Sequence, residues 1–63
     1  MQWTYEIIAI ERNHQRGTLL ELQGSNGTVH AFASAEKSAK LKVGDMLSFD
    51  EQVDDGFSLE LAS

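Results

Sequence analysis

A chain of 63 residues makes one domain near the lower limit for folding alone, because so short a chain buries only about 60% of its unfolded surface. That size leaves no room for a large catalytic pocket, and with no cysteine neither disulfides nor thiolate metal sites can supplement the core. Ten acidic residues against five Lys and Arg give a net charge of −5, which disfavours charge-driven binding to phosphate backbones but leaves base stacking on aromatic rings open.

The start Met1-Gln2-Trp3-Thr4-Tyr5 lacks the basic segment and apolar run of a secretory signal, and no apolar stretch approaches the roughly 20 residues that span a bilayer. A soluble cytoplasmic protein with no membrane partner is the expectation. Trp3 to Arg12 is rich in β-branched and aromatic residues and reads as a long first strand. Its faces do not alternate cleanly, since Trp3, Tyr5 and Ile7 share one side and Ile8 and Ile10 the other. Either the strand is buried on both sides, or a bulge near Ile7 and Ile8 switches the inward set; closure of a small barrel favours the bulge. Arg12 to Gly17 reads as a polar loop carrying Arg12, His14 and Arg16.

In the second strand, Thr18 to Gln23, the alternation should bury Leu20 and Leu22. Gly24-Ser25-Asn26-Gly27 is a hairpin turn, because Asn-Gly tolerates left-handed backbone. In the third strand, Thr28 to Ser34, Val29, Ala31 and Ala33 make one face, and Thr28, His30, Phe32 and Ser34 the other. Ala35 to Lys40 contains good helix formers with Ser34 as N-cap, but spans at most about one and a half turns. Leu41 to Asp50 then joins a Gly44-Asp45 turn to a strand with Val43, Leu47 and Phe49 on one side. After an acidic turn from Glu51 to Gly56, Phe57, Leu59 and Leu61 alternate with Ser58, Glu60 and Ala62 in a last strand.

Three strands, a brief helical crossover and two more strands predict an all-β fold, a small five-stranded OB-like barrel with the helical segment between strands 3 and 4. An SH3-like barrel is the nearest alternative. Residues 1–63 are read as a single domain.

Several segments, taken in order, resemble the cold-shock domain, the small OB-fold that binds single-stranded RNA and DNA. Leu41 through Asp50 is similar to the family's L-x-x-G-Q-x-V-x-F-E strand, and Asn13 through Gly17 resembles its N-x-x-K-G. Asn26-Gly27 sits where the family has Asp-Gly, and Val29 through Ala35 looks like V-F-V-H-x-S-A. The likeness covers nearly the whole chain after about Ile8. The family's binding rings are mostly replaced. Thr18 and Leu20 stand at the rings of its K-G-F-G-F motif, Glu11 and Arg12 at its outward Trp and Phe, and only His30 and Phe32 keep aromatic character. The resemblance therefore implies a weak binder, since each lost stacking ring removes about 1–3 kcal/mol.

His30 and Phe32 share one strand face and suit stacking on consecutive bases, unless the Trp3-Tyr5 segment covers Phe32. Arg12, Arg16 and Lys42 are candidates for holding phosphates, and His14, Lys37 and Lys40 could extend a basic rim; a solvated set of charges that protects sheet edges is the commoner origin of such a pattern. The Asp50, Glu51, Asp54 and Asp55 cluster lacks the ligand ladder of a calcium loop, so neither metal nor other cofactor is expected. His14 and His30 lie on different elements with no nucleophile motif, so no catalytic residue is expected and the protein should not be an enzyme. Two functions remain: a non-catalytic module binding single-stranded RNA or DNA weakly, or an acidic protein-interaction or accessory module. The second would use its acidic surface or a Trp3 and Tyr5 patch to meet a protein partner. Oligomeric state is open.

Overall fold

The first strand, β1 (Trp3–His14), pairs antiparallel on one side with β2 (Gly17–Gly24) and on the other with β4 (Met46–Phe49). These are features of a computed structural model in which residues 2–59 are described. β3 (Gly27–Ala33) pairs antiparallel with β2, and β5 (Phe57–Ser58) pairs parallel with β3, so the sheet runs β4-β1-β2-β3-β5. Glu60, Leu61 and Ala62, expected to continue the last strand, lie outside the described residues.

The register of β1 on β2 shifts between Ile7 and Ala9, which leaves Ile8 as the extra residue of a bulge. That irregularity moves the inward set from Tyr5 and Ile7 to Ile10, as the broken alternation predicts. Before the bulge Ile7 faces Leu22; after it Ile10 faces Leu20. A second shift between Glu11 and His14 carries β1 to a two-residue turn at Gln15-Arg16, so the expected loop from Arg12 to Gly17 is mostly strand. The strand extends two residues further than composition suggests, because beyond the second shift His14 still pairs with Gly17 of β2.

Inward alternation holds in the next two strands. Thr18, Leu20 and Leu22 are buried, and opposite them Ala31 and Ala33 are buried with Val29 packed against the same core. The small side chains of β3 leave room for the leucines of β2 and for Leu59. Tyr5 is buried among these residues, and its ring lies against Gly24, its cross-strand partner.

Ser34 starts the short helix α1 (Ala35–Ser38): its hydroxyl accepts from the Lys37 N–H at 3.0 Å, the expected N-cap. Ser38 is buried and its hydroxyl is 2.9 Å from that of Thr18, so the helix is tied to β2 by a satisfied polar pair inside the core. After the helix the chain turns at Gly44, where the Gly44 N–H donates to Ile7 O and the Ile7 N–H donates to Asp45 O. β4 begins only at Met46. Leu47 and Phe49 pack on the core as expected, but Val43 does not: it is 61% exposed. The two-residue alternation of β4 does not carry back through the turn, where no ladder holds it in phase.

Phe49 and Phe57 come from the two outer strands of the sheet, which a flat arrangement would hold roughly 19 Å apart. Their ring centroids are 5.4 Å apart, edge to face, and Phe49 also meets Tyr5 at 5.9 Å. The sheet therefore curls into the expected five-stranded OB-like barrel, a half-barrel closed between β4 and β5 by side chains.

Candidate functional site

The outward residues of β1, β2 and β3 form a grid set by register. One row runs Ala9, Glu21, His30, and the next runs Glu11, Leu19, Phe32. At the Phe32 end the hairpin between β1 and β2 folds its polar residues over the ring. The Arg16 guanidinium lies 4.1 Å from the ring centroid, and the His14 ring sits 5.2 Å away, tilted by 50°. His14 is oriented by its own turn, because the Arg16 backbone N–H donates to His14 Nδ1 at 3.1 Å. Phe32 is half-buried, and what covers it is this hairpin tip; the Trp3-Tyr5 segment, the alternative cover, lies elsewhere, with Tyr5 in the core.

The other end of the grid is acidic. The His30 backbone N–H donates to Asp55 Oδ1 at 2.7 Å, and its ring Nδ1 is 2.9 Å from the same oxygen. A carboxylate oxygen only accepts, so Nδ1 carries the proton there. The Gly56 N–H in turn donates to His30 O at 2.7 Å, which docks the approach to β5 on the β3 backbone from both sides of one residue. His30 Nε2 lies 4.0 Å from Glu21 Oε1. A shallow cavity of about 220 Å³ opens between the two rows, lined by Ala9, Ile10, Glu11, Leu19, Glu21 and His30.

No family model, curated protein or solved structure matches the chain. Of the five residues singled out for nucleic acid, Arg16 and Phe32 touch, and His30 lies two positions along the same face. Arg12 is used elsewhere: its guanidinium donates to Ser38 O at 3.1 Å and Leu41 O at 2.7 Å, tying the end of α1 and the residues after it to β1. Lys42 stands in the turn before β4, with β1 and β2 between that edge and β3. Thr18 and Leu20 point into the core, so the outer face of β2 belongs to Leu19 and Glu21. Tyr5 is likewise in the core, and an aromatic patch of Trp3 with Tyr5 is not presented at the surface. Among the described residues no cluster of three or more metal-ligating side chains is assembled.

Sequence reasoning missed the contacts that Leu19, Glu21 and Asp55 make on this face. The first two follow once the hairpin turn is centred on Ser25-Asn26, which sets Leu19 opposite Phe32 and Glu21 opposite His30. The contact to Asp55 has no local signal, because it depends on a parallel pairing across 25 residues of chain.

The His30 contacts have a measurable consequence. The Asp55 carboxyl is held below its ordinary value, mainly by the His30 backbone N–H and then by the His30 ring, with desolvation acting in the opposite direction. A carboxyl depressed in the folded state contributes stability above its unfolded pKa, and that contribution disappears as pH falls through the folded value. Wild type should therefore resist urea better than Asp55→Asn at about pH 6, with the gap closing toward about pH 2. Parallel curves across that range would remove the clasp.

Proposed function

We propose that this protein is a non-catalytic binding module that holds a short single-stranded RNA or DNA segment weakly on the outer face of β1 to β3, in a cytoplasmic setting. The observation that carries this reading is the stack of Arg16, Phe32 and His14 at the exposed end of that face. A guanidinium plane and aromatic rings are both surfaces on which unpaired bases stack, and the guanidinium adds a donor set for phosphate. The cold-shock resemblance points to the same class of ligand. It is consistent with a net charge of −5 that the attraction should be local and weak. No helix among the described residues is long and apolar enough to cross a membrane.

Arg16 with at most one further cation near the strand predicts a shallow salt dependence, a slope of roughly −0.7 to −1.4 in log K against log salt. Phe32→Leu should weaken short oligonucleotides by about fivefold or more while leaving the core residues of β3 in place. Arg16→Ala should weaken them too and flatten the salt slope. Unchanged affinity in Phe32→Leu would remove the stacking model.

The acidic interaction module remains the second reading, favoured by the carboxylates of Glu11, Glu21 and Asp55 on the same face. Amide shifts measured with oligothymidine and oligouridine discriminate the two. Shifts concentrated in β2 and β3 support nucleic acid, and none at about millimolar ligand, a limit corresponding to about −4 kcal/mol, support the protein partner.

A further inference from the structure

We infer that the nucleic-acid face selects guanine over uracil or thymine, and that Glu21 is the residue that reads the base. This rests on the stacking reading above. Glu21 faces His30 directly and is the diagonal neighbour of Phe32 across the ladder, a relation that puts side-chain origins roughly 7–8 Å apart. A base stacked on the Arg16 guanidinium that covers Phe32, with its edge turned toward β2, reaches the cavity lined by Ala9, Ile10, Glu11, Leu19, Glu21 and His30. Neither glutamate has a Lys or Arg ion-pair partner among the described residues, and the group able to carry positive charge beside Glu21 is the His30 ring, whose Nε2 lies 4.0 Å from Glu21 Oε1.

An ionised carboxylate presents acceptors alone. The Watson–Crick edge of guanine offers two adjacent donors, N1–H and the N2 amino group, which match the two oxygens of one carboxylate. Adenine and cytosine offer one donor beside an acceptor. Uracil and thymine offer one N–H between two carbonyl oxygens, so either carbonyl would face the negative charge. Backbone phosphate is turned away from the same wall, which orients the strand with bases inward and phosphates toward Arg16. The apolar side chains of Ala9 and Leu19 in the cavity lining add contact with the rim of the base.

The test uses the full chain and four labelled pentanucleotides, UUGUU, UUAUU, UUCUU and UUUUU, followed by fluorescence anisotropy and amide shifts. Wild type should bind UUGUU about tenfold more tightly than UUUUU. Glu21→Gln should shift the order toward uracil, because a carboxamide supplies a donor as well as an acceptor and carries no charge. Phe32→Leu should weaken all four together. Equal binding of UUGUU and UUUUU by wild type, or a ratio unchanged in Glu21→Gln, overturns the selectivity while leaving stacking intact. Affinities unchanged in Phe32→Leu, or no binding of any of the four by wild type, overturn the stacking reading and this inference with it.

Discussion

Gly17→Ala should lower the unfolding free energy by about 3 kcal/mol, a large loss for the addition of one methyl group. Two effects act together at this position. Gly17 has φ of 108°, a backbone conformation that costs an L-residue about 1–3 kcal/mol. A Cβ there would also stand 2.7 Å from the carbonyl oxygen of Ala33. That oxygen belongs to the backbone at the end of β3, next to the Ser34 cap, so it cannot swing aside as a side chain would. Relief would require β2 and β3 to separate where Thr18 pairs with Ala33.

Gly27→Ala is the internal control. Gly27 also has a positive φ, 122°, but its Cβ would meet nothing within 4 Å. It should lose only the conformational part, the same loss of about 1–3 kcal/mol as at Gly17, without the added clash. Thermal unfolding separates the two, since 1 kcal/mol moves the midpoint of a domain this small by roughly 4–8 °C. Equal midpoints for the two variants would show that the Ala33 carbonyl is not in the way.

Leu20→Ala should lower stability by about 2–5 kcal/mol, and Val43→Ala by less than about 0.5 kcal/mol. Leu20 has no exposed surface; it faces Ile10 on one side and Ala31 on the other at the centre of the sheet. Removing its branch leaves a cavity lined by residues that cannot collapse without disturbing two ladders. A domain of 63 residues has about 3–9 kcal/mol in total, at about 0.05–0.15 kcal/mol per residue, so the variant should be partly unfolded at room temperature. Val43 is mostly exposed, and truncating it removes little contact. Urea denaturation of both checks the contrast, and a large loss from Val43→Ala would mean that the turn before β4 packs inward.

These two variants also mark how far the amino-acid pattern reaches. Thr18, Leu20 and Leu22 against Leu19, Glu21 and Gln23, and Val29, Ala31 and Ala33 against His30 and Phe32, were legible as opposite faces, because side chains alternate across any strand. The phase break at Ile7 and Ile8 was legible as a bulge for the same reason, and Ser34 as a cap because its hydroxyl acts within one turn. Each of these is a local property that needs no knowledge of what lies across the barrel.

The candidate site was legible only as residue types on a face. That Arg16, and not Lys42, comes to Phe32 was decided by the hairpin turn at Gln15-Arg16 and the second bulge in β1. That Arg12 is bound to carbonyls at the end of α1 was decided by where the crossover lands on β1. His30 acquired its carboxylate partner through the parallel pairing of β5 with β3. Alternation determined which side of each strand faces the core; closure of the sheet determined which outward side chains meet. Neighbours across strands are set by register, and register here depends on bulges and a long-range crossover that no local run of residues specifies.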